Sequence, residues 1–134
     1  MNNYFVYHNE DKIGKSVKEI GLLAAYTNND VEGSEGGVAW VVSAVGKKNK
    51  KYKVSMCFEI SKAHSGYSPV EAFKNSVAGE VGVILEEPID VTDEAWLKEL
   101  RDSTANFVRG FSQLTNKTIV ESFERIFADY GFRS

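Results

Sequence analysis

The period of the hydrophobic positions changes several times along the chain, and each change predicts an element. Tyr4 to Tyr7 is an aromatic and β-branched run of strand type, followed by His8, Asn9, Glu10 and Asp11, whose Asn and Asp favour a turn. Ser16 and Glu19 form a capping box, and Val17, Ile20 and Leu23 recur at helical spacing, which predicts a short helix curtailed by Gly21. Residues 27–37 are turn chemistry around a single valine, Val31, so a loop is expected there. Val38 to Val45 is β-rich and apolar on both faces, the pattern of a central strand. After a lysine-rich turn, Tyr52, Val54, Met56, Phe58 and Ile60 alternate with Lys53, Ser55, Cys57, Glu59 and Ser61. That predicts a half-buried strand with Cys57 on its more polar side, paired with the preceding run in a hairpin whose tip is 46–51.

Ser68, Pro69 and Glu71 carry an N-cap, a first-turn proline and a capping-box glutamate, so a helix with Val70, Phe73 and Val77 is expected, ending by Gly79. Val81 to Leu85 reads as a strand closed by Pro88, and Asp93 as the start of a helix through Trp96, Leu97 and Leu100. Residues 107–114 read as a strand in which Gly110 marks a bulge or a close approach. In the last helix Thr118 and Glu121 box the start, and Ile119, Phe123, Ile126, Phe127 and Tyr130 share one face. No repeat or linker interrupts this series, so residues 1–134 read as one domain.

Hydrophobic residues are 43% of the chain and charged residues 26%, which excludes a disordered or low-complexity protein. One cysteine, Cys57, allows no intrachain disulfide or thiolate cluster, and a reducing, cytoplasmic setting fits. The N-terminal residues lack a basic stretch followed by an apolar run, and no apolar segment suits a membrane span, so neither a signal nor a membrane is expected. The formal net charge of -3 argues against coating nucleic acid through bulk positive charge.

Charge is unevenly placed, however. Five lysines fall within 47–53, whereas Glu80 to Asp102 holds eight acidic residues against Lys98 and Arg101. The lysine cluster is either a solvated hairpin tip or a local phosphate-contacting patch formed by Lys47, Lys48, Lys50 and Lys51. The acidic stretch offers a docking surface for a basic protein partner, which makes a protein-interaction or regulatory subunit the second functional reading.

A first strand of aromatic residues, a loop-and-helix excursion, a long hairpin and a closing helix suggest an α+β fold with a small mixed β-barrel, because closure hides strand edges. Tyr4-Phe5-Val6-Tyr7-His8-Asn9, Val38-Ala39-Trp40-Val41-Val42 with its return strand, and Asn106-Phe107-Val108-Arg109-Gly110-Phe111-Ser112 before a helix together resemble the PUA-like superfamily, nearest to EVE-type domains. The resemblance spans nearly the whole chain. It implies a pseudobarrel whose cleft, in several relatives, takes a modified or flipped base between aromatic side chains, so DNA or RNA is the expected partner; no cofactor is expected. The negative body departs from that pattern and is unfavourable for tight duplex binding.

The expected ligand-binding residues are Tyr7, His8, Asn9, Trp40, Phe107, Arg109, Phe111 and Ser112. Tyr7, His8 and Asn9 supply a ring, a titratable nitrogen pair and an amide, or simply form a turn. A tryptophan in such a pattern is more often core, but Trp40 is a better cleft candidate than Trp96 because a sheet face can line a cavity. Arg109, beside Phe107, Gly110 and Phe111, suits phosphate or plain solvent. Cys57 and His64 have no catalytic partner in sequence, two histidines with one cysteine make no common zinc site, and no phosphate loop or His-Glu-x-x-His occurs. A hydrolase of the ASCH-type branch or a nuclease is therefore the third reading, without a nameable catalytic or metal-binding set.

Overall fold

The structure is a computed structural model that describes residues 1–46 and 48–132. It is a mixed α+β protein. The chain begins with strand β1 (Asn3–Asn9), the short helices α1 (Glu10–Ile13) and α2 (Val17–Ile20), and strand β2 (Ala24–Thr27). The hairpin β3 (Val38–Val45) and β4 (Lys51–Glu59) follows, then β5 (Lys62–His64), β6 (Asn75–Ala78) and β7 (Gly82–Asp90). Helix α3 (Ala95–Ser103), strand β8 (Phe111–Leu114) and helix α4 (Lys117–Ala128) complete it.

The strands form two sheets rather than one closed ladder: β7-β4-β3-β1-β8 and β2-β6-β5. Within the larger sheet β1 runs parallel to β3, and every other pairing is antiparallel. β3 is central, as its two apolar faces predict. One of those faces, through Val38, Trp40 and Val42, packs under Leu97 and Leu100 of α3 and Phe123 and Phe127 of α4. The other, through Ala39 and Val41, packs with Met56 and Phe58 against Ala25 and Val77 of the small sheet.

Ser55 decides how β4 serves both faces. Val41 pairs with Met56 and Val42 with Val54, so Ser55 is an extra residue, a β-bulge. Before it, Tyr52 and Val54 point to the helices; after it the parity switches and Cys57 takes that side while Met56 and Phe58 face the small sheet. The expected polar-side position of Cys57 is therefore wrong, because one inserted residue reverses the alternation. Cys57 is fully buried, and burial pushes its thiol up to about 12. The partner strand is irregular at the same level: between Ile84, opposite Met56, and Ile89, opposite Val54, β7 carries residues 85–88 where β4 carries Ser55.

Further expectations change. The strand expected over 107–114 begins only at Phe111, because the left-handed run at Ala105, Asn106 and Phe107 holds the preceding residues in a turn, and His8 and Asn9 continue β1 into α1 where a turn was expected. Residues 68–77 form no helix: the Ser68 hydroxyl accepts the Val70 N–H in a local turn at 3.1 Å, and Val77 lies in β6. Tertiary pairing overrides the capping signal there, since β6 is the middle strand of the small sheet. Pro88 does not end β7; it sits within an edge strand, where a missing N–H leaves no ladder bond unmade. The cap of α4 is Asn116, whose Oδ1 accepts the Ile119 N–H at 3.2 Å, and Tyr130 lies beyond that helix, half-exposed. The 27–37 segment does contain the expected turns, but Thr27 ends a strand, β2, that the sequence pattern does not announce. No helix among the described residues is long and apolar enough to cross a membrane.

Candidate functional site

β8 is shorter than β1, and the mismatch creates a cleft. Its four residues pair with Asn3 to Val6 only, leaving Tyr7 to Asn9 beyond the ladder. The chain reaches that place through a tight turn after α3, and the Tyr7 N–H donates to the Gly110 carbonyl at 2.9 Å. Ala105, Asn106 and Phe107 in this turn have φ of 52°, 57° and 68°, three successive non-glycine residues in the left-handed region. Such a run costs roughly 1–2 kcal/mol per residue and persists only where neighbours over-determine it. Here the Asn106 N–H donates to the Arg101 carbonyl at 2.7 Å, and the Arg101 guanidinium returns two bonds to Asn106 Oδ1 at 3.1 and 3.0 Å. The Phe107 ring then lies 5.0 Å from both Phe5 and Tyr7.

The cleft holds about 150 Å³ between this turn, β1 and the edge of the small sheet. Tyr7, Phe107, Tyr26 and Phe73 give it aromatic walls, and Asn9, Asn28 and Asn29 line it with amides. Asn28 is committed on both sides, donating to the Ala72 carbonyl and accepting the Lys74 N–H. Asn9 Oδ1 caps α1 through the Lys12 N–H, and Asn29 Oδ1 accepts the Thr27 hydroxyl. Their Nδ2 groups have no partner among the described residues, so the cleft keeps two amide donors for a ligand. Burial, reinforced by Tyr52 and Asp11 and opposed by Arg101, pushes the Tyr7 phenol up to about 12. It is thus a neutral hydroxyl at physiological pH. Lys12 stands 4.8 Å over the Phe73 ring.

Of the expected ligand residues, the structure brings Tyr7, Asn9 and Phe107 together in this cleft, with Gly110 beside them. His8 points to the opposite face of β1, where it is buried and its Nε2–H donates to the Lys15 carbonyl at 2.8 Å. Desolvation lowers its pKa, against the opposing effect of that bond. Trp40 is wholly enclosed by Phe123, Phe127 and Phe132, and its indole N–H donates to Asn3 Oδ1 at 2.9 Å. Phe111 lies on the small-sheet side, stacked on Tyr4 at 5.1 Å. Arg109 is exposed in the turn, and Ser112 lines a separate hollow with Glu99 and Asn116. Sequence reasoning missed Tyr26, Asn29 and Phe73, because Ala24-Ala25-Tyr26-Thr27 is too short and too alanine-rich to announce a strand.

Lys48 and Lys50 are exposed at the hairpin tip and Lys51 opens β4 opposite Val45, whereas Lys47 lies outside the described residues. Asn9 is level with Ala44, so tip and cleft share one end of the large sheet.

Several hollows are larger than the cleft: the one at Ser112, of about 240 Å³, one of about 330 Å³ beside Trp96, and two larger still. One, of about 700 Å³, is an open polar trough between residues 92–95 and the Arg101–Asn106 turn. The other, of about 430 Å³, lies under α2 on the His8 side of the sheet. Among the described residues no group of three or more His, Cys, Asp or Glu side chains is arranged to hold a metal ion. No protein-family model matches the chain, and neither does any curated protein or solved structure.

Proposed function

We propose that this protein is a PUA-like module that recognises a nucleobase of DNA or RNA, modified or flipped out of its strand, in the cleft beside β1. The observation that carries the reading is the pairing of aromatic walls with two uncommitted amide donors in a hollow of single-heterocycle size. Stacking on a ring contributes roughly 1–3 kcal/mol per base and tolerates any base. The choice among bases then falls to the Nδ2 donors of Asn9 and Asn29 and the neutral Tyr7 hydroxyl, which suit bases that present carbonyl oxygens or ring-nitrogen acceptors. The aromatic start of β1 and the Arg109-Gly110-Phe111 approach to β8 support the same assignment. The lysines at the adjoining tip supply a local contact for backbone phosphates that the acidic body does not.

A chemical-shift titration with free and modified nucleosides tests the reading. Resonances of Tyr7, Asn9 and Phe107 are expected to move saturably, and their staying fixed through millimolar nucleoside would refute it. Gly110→Ala sharpens the test, since the added methyl meets Tyr7 Cβ at an ordinary 3.8 Å and occupies the cleft without displacing the fold. If two to four tip lysines neutralise phosphates of a single strand, replacing Lys47, Lys48, Lys50 and Lys51 with glutamine lowers the log-log salt slope by about 0.7 for each phosphate no longer neutralised. Base preference is expected to survive that change.

A further inference from the structure

The hollow under α2 is a second site. Its floor is the bulge at Ser55: the Ser43 and Ser55 hydroxyls meet there at 2.8 Å, both buried. One wall is the irregular stretch of β7, through Leu85 and Pro88, and the roof is Val17 of α2 with Val45 opposite. β4 and β7 fall out of regular pairing at this level, so the opening is set by the backbone rather than by one rotamer. His8 holds the roof from below through the Lys15 carbonyl, next to the Ser16 cap of α2. Lys18 ties the roof to β7 from outside, 2.6 Å from Glu86.

The lining is apolar in its depth and mostly basic at its rim. Val17, Val45, Leu85 and Pro88 are aliphatic, and Lys18, Lys51 and Lys53 stand above them with Glu10 as the one carboxylate. Lys18 is engaged by Glu86. Asp90 keeps its charge while it accepts both the N–H and the hydroxyl of Thr92, and it attracts Lys51 and Lys53 as Glu10 attracts Lys53, but neither lysine closes an ion pair with them among the described residues. The charges left for an incoming group are therefore Lys51 and Lys53, with the tip lysines beyond them. Ser55 donates to the Val41 carbonyl at 3.4 Å and accepts from Ser43, so the paired serines offer acceptor lone pairs and no free donor, and the head group falls to the lysines.

We infer that this cavity binds a small amphipathic anion, with its apolar body on Val17, Val45, Leu85 and Pro88 and its carboxylate or other monoanionic head on Lys51 and Lys53. The cavity shares no lining residue with the base cleft, although Asn9 of the cleft and Glu10 of the cavity are neighbours in the chain. Lys51 and Lys53 thereby gain a role separate from any phosphate contact at the tip.

Titration of the full chain with octanoate, octan-1-ol and octyltrimethylammonium, read at the methyl resonances of Val17 and Val45, isolates the head group at constant tail. Octanoate is expected to bind saturably, octanol about tenfold more weakly and the cation not at all. Lys51→Gln with Lys53→Gln is expected to abolish the advantage of octanoate over octanol and leave octanol binding unchanged. Val45→Trp fills the mouth from a half-exposed position that the fold tolerates, and is expected to remove binding of both while thermal melting stays as in the parent. Equal binding of the three probes, unmoved methyls at millimolar octanoate, or undiminished binding by Val45→Trp overturns the inference. Nucleoside shifts at Tyr7 and Phe107 are expected to be the same with the cavity filled or blocked, so failure here and failure of the base reading are told apart.

Discussion

The same strand, β3, presents two different faces. Towards α3 and α4 it offers Val38, Trp40, Val42 and Ala44, all enclosed, and the indole stacks on Phe123 with ring centroids 5.6 Å apart. Towards the small sheet it begins in the same way with Ala39 and Val41, but continues to Ser43 and half-exposed Val45, where the small sheet no longer covers it. The helix side is filled by large rings, whereas the other side passes from a dry core to a hydroxyl-floored cavity within two residues. Stability resides mainly in the first face, and room for a ligand in the second.

The largest test of that contrast is Trp40→Ala, expected to cost about 3–5 kcal/mol in urea unfolding, because the surrounding rings close only partly over the void. Gly82→Ala is expected to follow at about 1–3 kcal/mol: a Cβ there would collide with the Cys57 carbonyl and lie 2.6 Å from Phe58 Cβ, and backbone cannot yield as a side chain does. Matched valine truncations compare the faces directly. Val42→Ala is expected to cost about 2 kcal/mol or more and Val17→Ala, beside the open cavity, about 1–1.5. Equal losses would erase the distinction.

Acid titration probes the roof of the cavity. Burial lowers the pKa of His8, so the unfolded chain takes up a proton that the folded chain refuses as pH falls below about 6.5. Stability is expected to be full above that value and to decline below it, by no more than about 1.4 kcal/mol per pH unit, with the decline reduced in His8→Gln. At the small end, Ala105→Gly is expected to stabilise by up to about 1 kcal/mol, since glycine adopts φ near 52° without strain. A loss of stability there would show that the left-handed turn is not strained.

The long elements were legible because their periods are sustained: β1, the β3–β4 hairpin, α3 and α4 each repeat a pattern over a whole element. Features that depend on one residue were not. The bulge at Ser55 looks like any alternating serine, yet it reverses the facing of Cys57 and opens a cavity. The Ser68-Pro69-Val70-Glu71 signal is locally sound and loses to the pairing of β6 between two neighbours. Of the candidate site, Tyr7, Asn9 and Phe107 were found from residue type near a strand end. Tyr26, Asn29 and Phe73 come from the small sheet's edge, and only tertiary packing brings them there. Trp40 was misjudged as a cleft residue because a tryptophan on a sheet reads alike in sequence whether helices cover it or not.

The position of β1 also governs the order in which the molecule can be assembled. The first strand of the chain sits between β3 and β8, so one of its edges is satisfied early and the other only by residues 111–114. During synthesis that second edge waits on the order of ten seconds for the strand that covers it. In the interval a run of Tyr4, Phe5 and Val6 presents unpaired backbone to any neighbouring nascent chain. A ribosome-bound chain stopped before Phe111 is thus the species most exposed to edge-to-edge aggregation, and release of that risk coincides with the arrival of β8.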